Sequence, residues 1–514
     1  MAKDMLSRRC FLQLAGTTTV GALLAACGPA ATQAPAEPTS EEPAAPTAAA
    51  PAEEVVEIEY DAGGFTPSKY IGADLEEGQA ERVAFDTVAN AYMDDHPNVK
   101  IKFVPAPMGD RREAAIMMLT GGTAPDCMWT QPDQVNEDLG KGWWLALDPF
   151  MELPNPYCPD GHPGRSSWHE SFYPAVDFWR APDGNLYMLL GDQTQVGIYY
   201  NKTLFQEVGI GEAANAFPDN WEEMMSYGAA LLDAGYPGYA WCGGGAGVLD
   251  QLTWTSGWLS KYFFWDYIKG WDTNNDGMPS KWEMSEAIQD GTFSAAMEEN
   301  VERLRALKRM AVYWQEGALG MDWEATHRLF LTGSAGMEIT GVWMLQTFLD
   351  DPDRDFDLGW FYFPAVDKST STAVNPDAPL TNLAAGYGSF QVAITNTATR
   401  KGTESQCADF LMWSTTPENI GLIVNEIPST IPNVVDADLH PLTVEFGFAD
   451  SVSYLPSSFQ EDDSLLDYEY GVNFASVVGP YCVGQMDEAT MLERLQEYMD
   501  AAAERVLAAR DESE

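Results

Sequence analysis

The chain contains one loop whose residue types and spacing suit the coordination of a metal ion. The segment from Asp272 to Glu283 matches the calcium-loop pattern D-x-[DN]-x-[DN]-G-x5-E at every position. Side-chain oxygens, a backbone carbonyl and a final bidentate carboxylate are the ligands that Ca2+ prefers, and a glycine at the sixth position permits the sharp turn. The predicted metal ligands are Asp272, Asn274, Asp276, Met278, Ser280 and Glu283.

The eighth position of this loop departs from the pattern of paired calcium loops. It holds Pro279, which lacks the backbone donor through which two such loops join. The sequence has no second loop of this type. We therefore expect a solitary structural calcium site rather than a calcium sensor. A turn rich in Asp and Asn is the simpler alternative.

Tryptophan is the second group of residues with a clear chemical use. The chain has 17 Trp, and a flat indole suits the apolar face of a sugar ring while nearby acids and amides bind its hydroxyl groups. Trp254 and Trp258 lie in a stretch rich in Thr and Ser and flanked by Gly, which would leave room for a ligand. Core packing is the alternative for each single Trp.

The sequence carries no recognisable catalytic motif. It has five His without zinc-like spacing, and it lacks a nucleophile elbow and a phosphate-binding loop. The glycine run at 243–247 is not followed by Lys and Ser or Thr. Because 78 acidic residues always offer some pair of carboxylates, a secreted glycoside hydrolase remains an alternative without specific support.

The charge balance excludes two classes of partner. The chain has 28 Lys and Arg against 78 Asp and Glu, a formal net charge of −50. Binding to nucleic acid needs clustered basic residues, and so does docking on an anionic membrane through a basic patch. The 17 Trp, 21 Tyr and 23 Phe also exclude a chain that is disordered throughout.

The first 54 residues predict export rather than a fold. The paired arginines Arg8 and Arg9 precede an apolar run that is too short to span a bilayer, which is typical of a twin-arginine signal peptide over 1–26. Small residues before Cys27 are typical of a lipobox, so we expect a diacylated Cys27; an ordinary signal peptide is the alternative. The Ala-, Pro- and Glu-rich stretch over 27–54 predicts a disordered tether.

The rest of the chain alternates between strand and helix patterns, from the predicted strand Val55–Tyr60 to the predicted helix Cys407–Trp413. Asn220 is the predicted cap of a helix over 220–234. This alternation predicts an α/β architecture with mostly parallel sheets. The five cysteines after Cys27 are widely spaced, and buried free thiols are the expectation.

A series of short segments from Ala84 to Pro432 resembles the family 1 extracellular solute-binding proteins, the sugar-binding lipoproteins of ABC importers that are similar to maltose-binding protein. The segments are AFDTVANAYMDDHP with VKIKF, LTGGTAPD, GWWLALDP, YYNKTLF, PDNWEE, GSAGMEITGVW and ADFLMWSTTPE. Each is weak alone, and their shared order carries the resemblance.

The resemblance implies two α/β lobes of the type II periplasmic-binding-protein fold, with a hinge and a cleft between the lobes. Lobe one is expected at 55–195 and 386–428, and lobe two at 200–383 and 430–514. The implied function is to bind a mono- or oligosaccharide between the lobes and to deliver it to membrane permease subunits. A monomeric, lipid-anchored protein on the outer face of the cytoplasmic membrane is expected, with no organic cofactor and no catalysis.

The resemblance also implies where the solute binds. Trp129 follows the Pro-Asp strand and Trp343 belongs to the G-x-W segment, and both are expected to line the cleft. Asp192, Gln193 and Tyr387 lie near the predicted hinge and are candidate polar contacts; solvated loop residues are the alternative. Aromatic cages also bind quaternary ammonium ions, so such a solute stays open. Anionic solutes are disfavoured unless Arg111, Arg112 or Arg180 reaches the cleft.

Overall fold

The computed structural model describes residues 55–71, 81–105, 111–210, 217–244, 249–273, 279–378, 383–384, 388–428, 430–448 and 465–513. The predicted signal peptide, Cys27 and the tether lie outside these residues. So do three predicted metal ligands and one predicted hinge contact, namely Asn274, Asp276, Met278 and Tyr387.

Strands and helices alternate along the described chain. The strands are β1 (Val56–Tyr60), β2 (Val99–Phe103), β3 (Cys127–Trp129), β4 (Met188–Leu190), β5 (Asp192–Gln193), β6 (Gln195–Asn201), β7 (Tyr239–Ala240), β8 (Met337–Gly341), β9 (Leu358–Phe361), β10 (Leu383–Ala384), β11 (Gln391–Ile394) and β12 (Ile431–Pro432). The helices are α1 (Ser68–Ile71), α2 (Ala84–Asp95), α3 (Arg111–Gly121), α4 (Pro132–Glu137), α5 (Asp148–Met151), α6 (Lys202–Glu207), α7 (Trp221–Asp233), α8 (Asp250–Trp271), α9 (Lys281–Gln289), α10 (Glu298–Ala311), α11 (Trp323–Leu331), α12 (Leu345–Asp350), α13 (Asn396–Lys401), α14 (Glu404–Ser414), α15 (Pro417–Val424), α16 (Pro441–Glu445), α17 (Tyr468–Cys482) and α18 (Glu488–Ser513).

The first sheet has the strand order β2-β1-β3-β11-β4. The alternation of β2 places Val99, Ile101 and Phe103 in the core, whereas Lys100 and Lys102 are exposed and pair with acidic residues of β1. Side chains of α2, α14 and α15 complete this core. The edge strand β2 therefore has the half-buried character that its alternating sequence predicts.

The second sheet has the order β10-β6-β8-β7, with β9 also paired to β6. All seven residues of β6 are buried, because layers of side chains cover both of its faces. One layer comes from α7, α8, α10, α17 and α18, and the other includes α11 and α12. Such two-sided burial produces a nearly continuous apolar strand sequence.

The expectation of mostly parallel sheets is wrong for the described strands. Only β1–β2, β1–β3 and β7–β8 are parallel, and the other six of the nine pairings are antiparallel. A strand that follows a helix packed on its own sheet re-enters in the same direction. In contrast, the chain reaches β11 from β10 of the second sheet and not through a helix packed on the first sheet. The rule for parallel strands therefore does not apply to β11, which runs antiparallel to β3.

The chain passes between the sheets on short strands. β5 lies between β4 of the first sheet and β6 of the second, and it pairs with β12 rather than with either sheet. All first-sheet strands fall within the ranges predicted for lobe one, and this crossing falls where the hinge is predicted. Val434, within the range predicted for lobe two, packs in the core of the first sheet. The lobe boundaries themselves stay a prediction.

Two local predictions are confirmed. Asn220 caps α7, because its side-chain oxygen accepts a hydrogen bond from the backbone N–H of Glu223 at 3.0 Å. The five described cysteines are buried free thiols: Cys127, Cys158, Cys242, Cys407 and Cys482. Among the described helices, none combines the length and the apolar character that crossing a bilayer would require.

Candidate functional site

Polar and aromatic side chains meet at the carboxyl edge of the first sheet. Asp61 follows β1 and Trp129 ends β3, and these two strands are parallel. Their carboxyl ends therefore lie at one edge, which is where open α/β sheets bind ligands. The Arg111 guanidinium donates to both carboxylate oxygens of Asp61, at 2.9 and 2.7 Å. Its central carbon lies 4.2 Å from the centroid of the Trp129 ring.

Trp129 is half-buried and is held in place from two sides. Its indole N–H donates to the backbone carbonyl of Ser389 at 3.1 Å. Its ring lies against Gly63, where an added Cβ would lie 2.3 Å from Trp129 Cδ1. Gly63 also has a φ of +57°, which side chains disfavour. The glycine is therefore required for the indole to lie across the end of β1.

A second aromatic group lies at the carboxyl edge of the second sheet. β7 and β8 are parallel, so the segments that follow them leave the same edge. Trp343 follows β8, and its ring lies over Gly341, where an added Cβ would lie 1.9 Å from Trp343 Cζ3. The G-x-W spacing thus has a steric reason. The Trp254 ring meets Trp343 edge to face, with centroids 5.8 Å apart.

This aromatic group extends to two residues that the sequence did not single out. The Trp323 ring centroid lies 6.0 Å from that of Trp254. The Trp323 indole N–H donates to Oδ2 of Asp250, the first residue of α8, at 2.8 Å. Burial raises the pKa of the Asp250 carboxyl, although the Trp323 hydrogen bond opposes this rise. The signal in the sequence is that Asp250 lies three residues after the glycine run at 243–247.

The structure places both Trp254 and Trp258 in the core of the second sheet, one turn apart on α8. Trp258 is 2% exposed, its indole N–H donates to the carbonyl of Pro364 at 2.9 Å, and its ring stacks on Phe363. The Lys261 ammonium lies 4.4 Å from the ring centroid. The two tryptophans predicted together therefore have different surroundings in this structure.

Asp192 and Gln193 lie in the crossing strand β5 and are buried, with 0% and 4% exposure, rather than solvated. Oδ1 of Asp192 accepts a hydrogen bond from the backbone N–H of Phe390 at 2.7 Å. The Gln193 amide donates to Oδ1 of Asn433, at 2.5 Å. Burial raises the pKa of Asp192 from 3.8 to about 7, although backbone hydrogen bonds oppose the rise.

Ser389 and Phe390 join this crossing to the first aromatic group, which is Trp129 with Arg111 and Asp61 at the carboxyl edge of the first sheet. Ser389 accepts the indole N–H of Trp129, and the next residue, Phe390, donates to Asp192. Two consecutive residues therefore connect the crossing strand to Trp129.

The three arginines that could admit an anionic solute are each paired with acids. Arg111 pairs with Asp61, as described. Arg112 donates to both oxygens of Asp138, and Arg180 pairs with Asp148 and Asp177. Arg111 thus lies at the carboxyl edge of the first sheet, but its guanidinium is engaged by the Asp61 carboxylate.

A described helix lies on each side of the predicted calcium loop. α8 ends at Trp271 and α9 begins at Lys281. The Glu283 carboxylate accepts from the backbone and hydroxyl of Ser280, at 2.8 and 3.0 Å, within a capping box. Its other oxygen accepts from the backbone and hydroxyl of Thr273, both at 2.7 Å. The carboxylate predicted as the bidentate ligand thus faces the start of the loop, beside Asp272. The metal itself stays a prediction.

Two sheets with aromatic carboxyl edges, joined by paired crossing strands, define a two-lobe binding protein. The family model of the bacterial extracellular solute-binding proteins matches residues 73–420. The chain belongs to this family.

Solved structures of two-lobe binding proteins have the same fold. A chitin oligosaccharide binding protein aligns with a TM-score of 0.59 at 18% identity, over 88% of this chain and 99% of that one. A cyclic alpha-maltosyl-1,6-maltose binding protein from Arthrobacter globiformis aligns with a TM-score of 0.57 at 18% identity, over 88% of this chain and 99% of that one. The binding protein RafE in complex with raffinose aligns with a TM-score of 0.52 at 16% identity, over 87% of this chain and 100% of that one. A search of the curated proteins gives no significant match.

Replacing Gly63 tests how Trp129 is held. We expect Gly63→Ala to lower the free energy of unfolding by about 1–2 kcal/mol, because its φ is positive, and to displace the indole. Denaturant unfolding and near-ultraviolet circular dichroism measure both effects. Gly64→Ala is the matched control, because the nearest atom to an added Cβ there lies 4.0 Å away. If the two variants have the same free energy of unfolding and the same near-ultraviolet circular dichroism, Gly63 is not required to hold Trp129.

The buried carboxyl of Asp192 should leave a pH signature. The unfolded chain ionises it above about pH 4, whereas the folded chain ionises it only above about pH 7. Wild-type stability should therefore fall across this range and then level off. Asp192→Asn removes this contribution, so its stability advantage over the wild type should grow between these pH values. Denaturant unfolding at several pH values measures the difference.

Asp160→Asn is the control for the pH series, because the Asp160 side chain is fully exposed. We expect it to follow the wild type at every pH. A constant difference between Asp192→Asn and the wild type from pH 4 to pH 8 would show that the carboxyl is not protonated preferentially in the folded state.

Proposed function

We propose that this chain is the substrate-binding protein of an ABC importer, and that it binds a carbohydrate between its two lobes and delivers it to membrane permease subunits. The observation that carries the proposal is the pair of half-buried tryptophans, Trp129 and Trp343, each at the carboxyl edge of a different sheet. Indole faces stack on the apolar faces of sugar rings. Family membership supports the role in solute binding.

Closure of the lobes would couple binding to delivery. The crossing formed by β5 and β12 is the proposed hinge. A solute that contacts both aromatic groups has a higher affinity for the closed form, so it shifts the open–closed equilibrium towards closure. The permease would recognise the closed form. No bond of the solute changes in this cycle.

Export and anchoring complete the proposal. The paired arginines and the lipobox favour export by the twin-arginine route and acylation of Cys27. The tether over 27–54 would let the lobes rotate near the membrane. The extracellular character of the family supports export.

A quaternary ammonium solute is the second candidate. Trp254, Trp323 and Trp343 lie close together, and the Asp250 carboxyl lies beside them. Aromatic rings with a nearby carboxylate also suit an organic cation. A glycoside hydrolase has less support, since the Asp61 carboxylate at the first edge is bound by Arg111.

Binding of sugars tests the main proposal. We expect raffinose, maltotriose or chitotriose to raise the melting temperature of the full-length protein, since a ligand at a hundred times its Kd stabilises the fold by about 2.7 kcal/mol. X-ray scattering should show a smaller radius of gyration with the sugar. Trp343→Ala and Trp129→Ala should each weaken binding about tenfold, from the lost stacking surface.

Trp143→Phe is the control, because Trp143 lies beside Lys141, away from both carboxyl edges. It should bind sugar as the wild type does. Stabilisation by glycine betaine alone would favour the second candidate, and release of reducing ends from the sugars would favour the hydrolase.

We also propose that the loop from Asp272 to Glu283 binds one structural calcium ion. The residues that would hold it are Asp272, Asn274, Asp276, Met278, Ser280 and Glu283. The donor set consists of oxygen atoms, which suits a hard cation. The two helices that flank the loop and the orientation of Glu283 towards Thr273 support the fit.

Calcium should therefore stabilise the protein. We expect added Ca2+ to raise the melting temperature and a chelator to lower it. Glu283→Gln should abolish this response, because Gln can keep the capping box but lacks the charge that calcium needs. Glu298→Gln, in the first turn of α10, is the matched control. If neither calcium nor chelator changes the melting temperature of the wild type, the proposed calcium site is refuted.

A further inference from the structure

We infer that Asp250 binds hydroxyl groups of a neutral sugar ring that stacks on Trp343, and that it thereby selects the solute. This inference rests on the proposed function and names a contact residue within the same site. Asp250 begins α8, which follows β7, and Trp343 follows β8. Both residues therefore belong to the carboxyl edge of the second sheet.

The hydrogen bonding of Asp250 leaves it able to accept from a solute. Oδ2 accepts the indole N–H of Trp323 at 2.8 Å. Oδ1 has no hydrogen-bond partner among the described residues. A carboxylate with one oxygen fixed and the other available can accept a sugar hydroxyl in a defined direction. Hydrogen bonds to a charged group are stronger than those between neutral groups.

The aromatic surface beside Asp250 has the shape that a sugar requires. The Trp254 ring lies between those of Trp343 and Trp323, with centroids 5.8 and 6.0 Å away. Trp343 and Trp323 are half-buried, whereas Trp254 is 8% exposed. An apolar surface with a hydrogen-bond acceptor at its margin matches a pyranose, whose hydroxyls surround its apolar face.

The position of Asp250 on its helix favours a neutral solute over a cation. α8 has 22 residues, and Asp250 lies in its first turn. The positive end of the helix dipole partly offsets the negative charge of the carboxylate there. This offset reduces the attraction for an organic cation, but it leaves the carboxylate oxygen able to accept hydroxyl hydrogens.

Trp323 is a positioning residue for this carboxylate. Its ring stacks on His327, with centroids 5.0 Å apart. The Nδ1 atom of His327 is hydrogen-bonded to Glu338, which is buried in β8. Trp323 is therefore fixed to the sheet, and its indole N–H fixes the orientation of Asp250.

Three variants of the full-length protein separate these roles. Asp250→Asn should weaken binding of raffinose, maltotriose or chitotriose by about tenfold to a hundredfold, because it replaces a charged acceptor with a neutral one. Trp323→Phe keeps a ring but loses the indole N–H, so it should weaken binding by about threefold to tenfold. Glu324→Gln removes an exposed charge next to Trp323 and should bind as the wild type does. Calorimetry gives each Kd, and denaturant unfolding confirms that the variants fold.

Deoxy analogues of whichever of the three sugars binds provide a second measurement. The analogue that lacks the hydroxyl bound by Asp250 should bind the wild type weakly. Asp250→Asn should bind that analogue and the parent sugar with similar affinity, since the variant has already lost the contact. A merely structural role for Asp250 would weaken all the analogues by the same factor.

The outcomes separate this inference from the function on which it rests. If the wild type binds none of the three sugars, the proposed function fails, and the inference fails with it. If the wild type and a folded Asp250→Asn bind a sugar equally, the inference fails while the function stands. A third outcome is that the protein binds glycine betaine, and that Asp250→Asn weakens this binding whereas Glu324→Gln does not. Asp250 would then be the partner of a cation rather than an acceptor of hydroxyl groups, and the inference would be overturned.

Discussion

A single buried carboxyl, that of Asp192, connects the crossing between the two sheets with the rest of the site. It accepts the backbone N–H of Phe390, and the preceding residue, Ser389, holds the indole of Trp129. The orientation of the first aromatic group therefore depends on the same strand that carries the chain from one sheet to the other. Removal from water disfavours the charged form of this carboxyl, so the contact lowers stability near neutral pH. The Asp192 contact therefore connects the crossing strand with Trp129, and it does not add to the stability of the fold.

The two aromatic groups are held by different means. Trp129 is fixed by a backbone carbonyl of the crossing segment and by the Arg111 guanidinium over its ring. Trp343 is supported by the side chains of α8 and α11, through Trp254 and Trp323. The first group can thus respond to movement at the crossing, whereas the second is part of the packing of its own sheet.

Local sequence patterns predicted much of the fold. The Asn220 cap follows from short-range spacing and is present in the structure, and β2 alternates between buried and exposed residues as its sequence does. The direction of β11 did not follow, because it depends on where the chain comes from and not on its own residues. Short-range spacing therefore predicts elements better than it predicts their pairing.

The candidate site was predictable where a short segment carried it. Trp129 and Trp343 lie in such segments, and both occupy carboxyl edges. The bond between Trp323 and Asp250 spans 73 positions of the chain, so no local pattern could reveal it. Trp254 and Trp258 look alike in sequence, yet one contacts Trp343 and the other Phe363, because they lie one turn apart on α8 and each indole meets a different neighbouring segment.

The brevity of the connection between the sheets has a consequence for selectivity. β4, β5 and β6 follow one another with only Gly191 and Thr194 between them. So few intervening backbone torsions leave the two halves a narrow choice of relative orientations. In the closure proposed above, such a joint would allow nearly one path, and the chain itself would set the final distance between Trp129 and Trp343. Solutes would be sorted by their thickness and length as well as by their hydroxyl pattern.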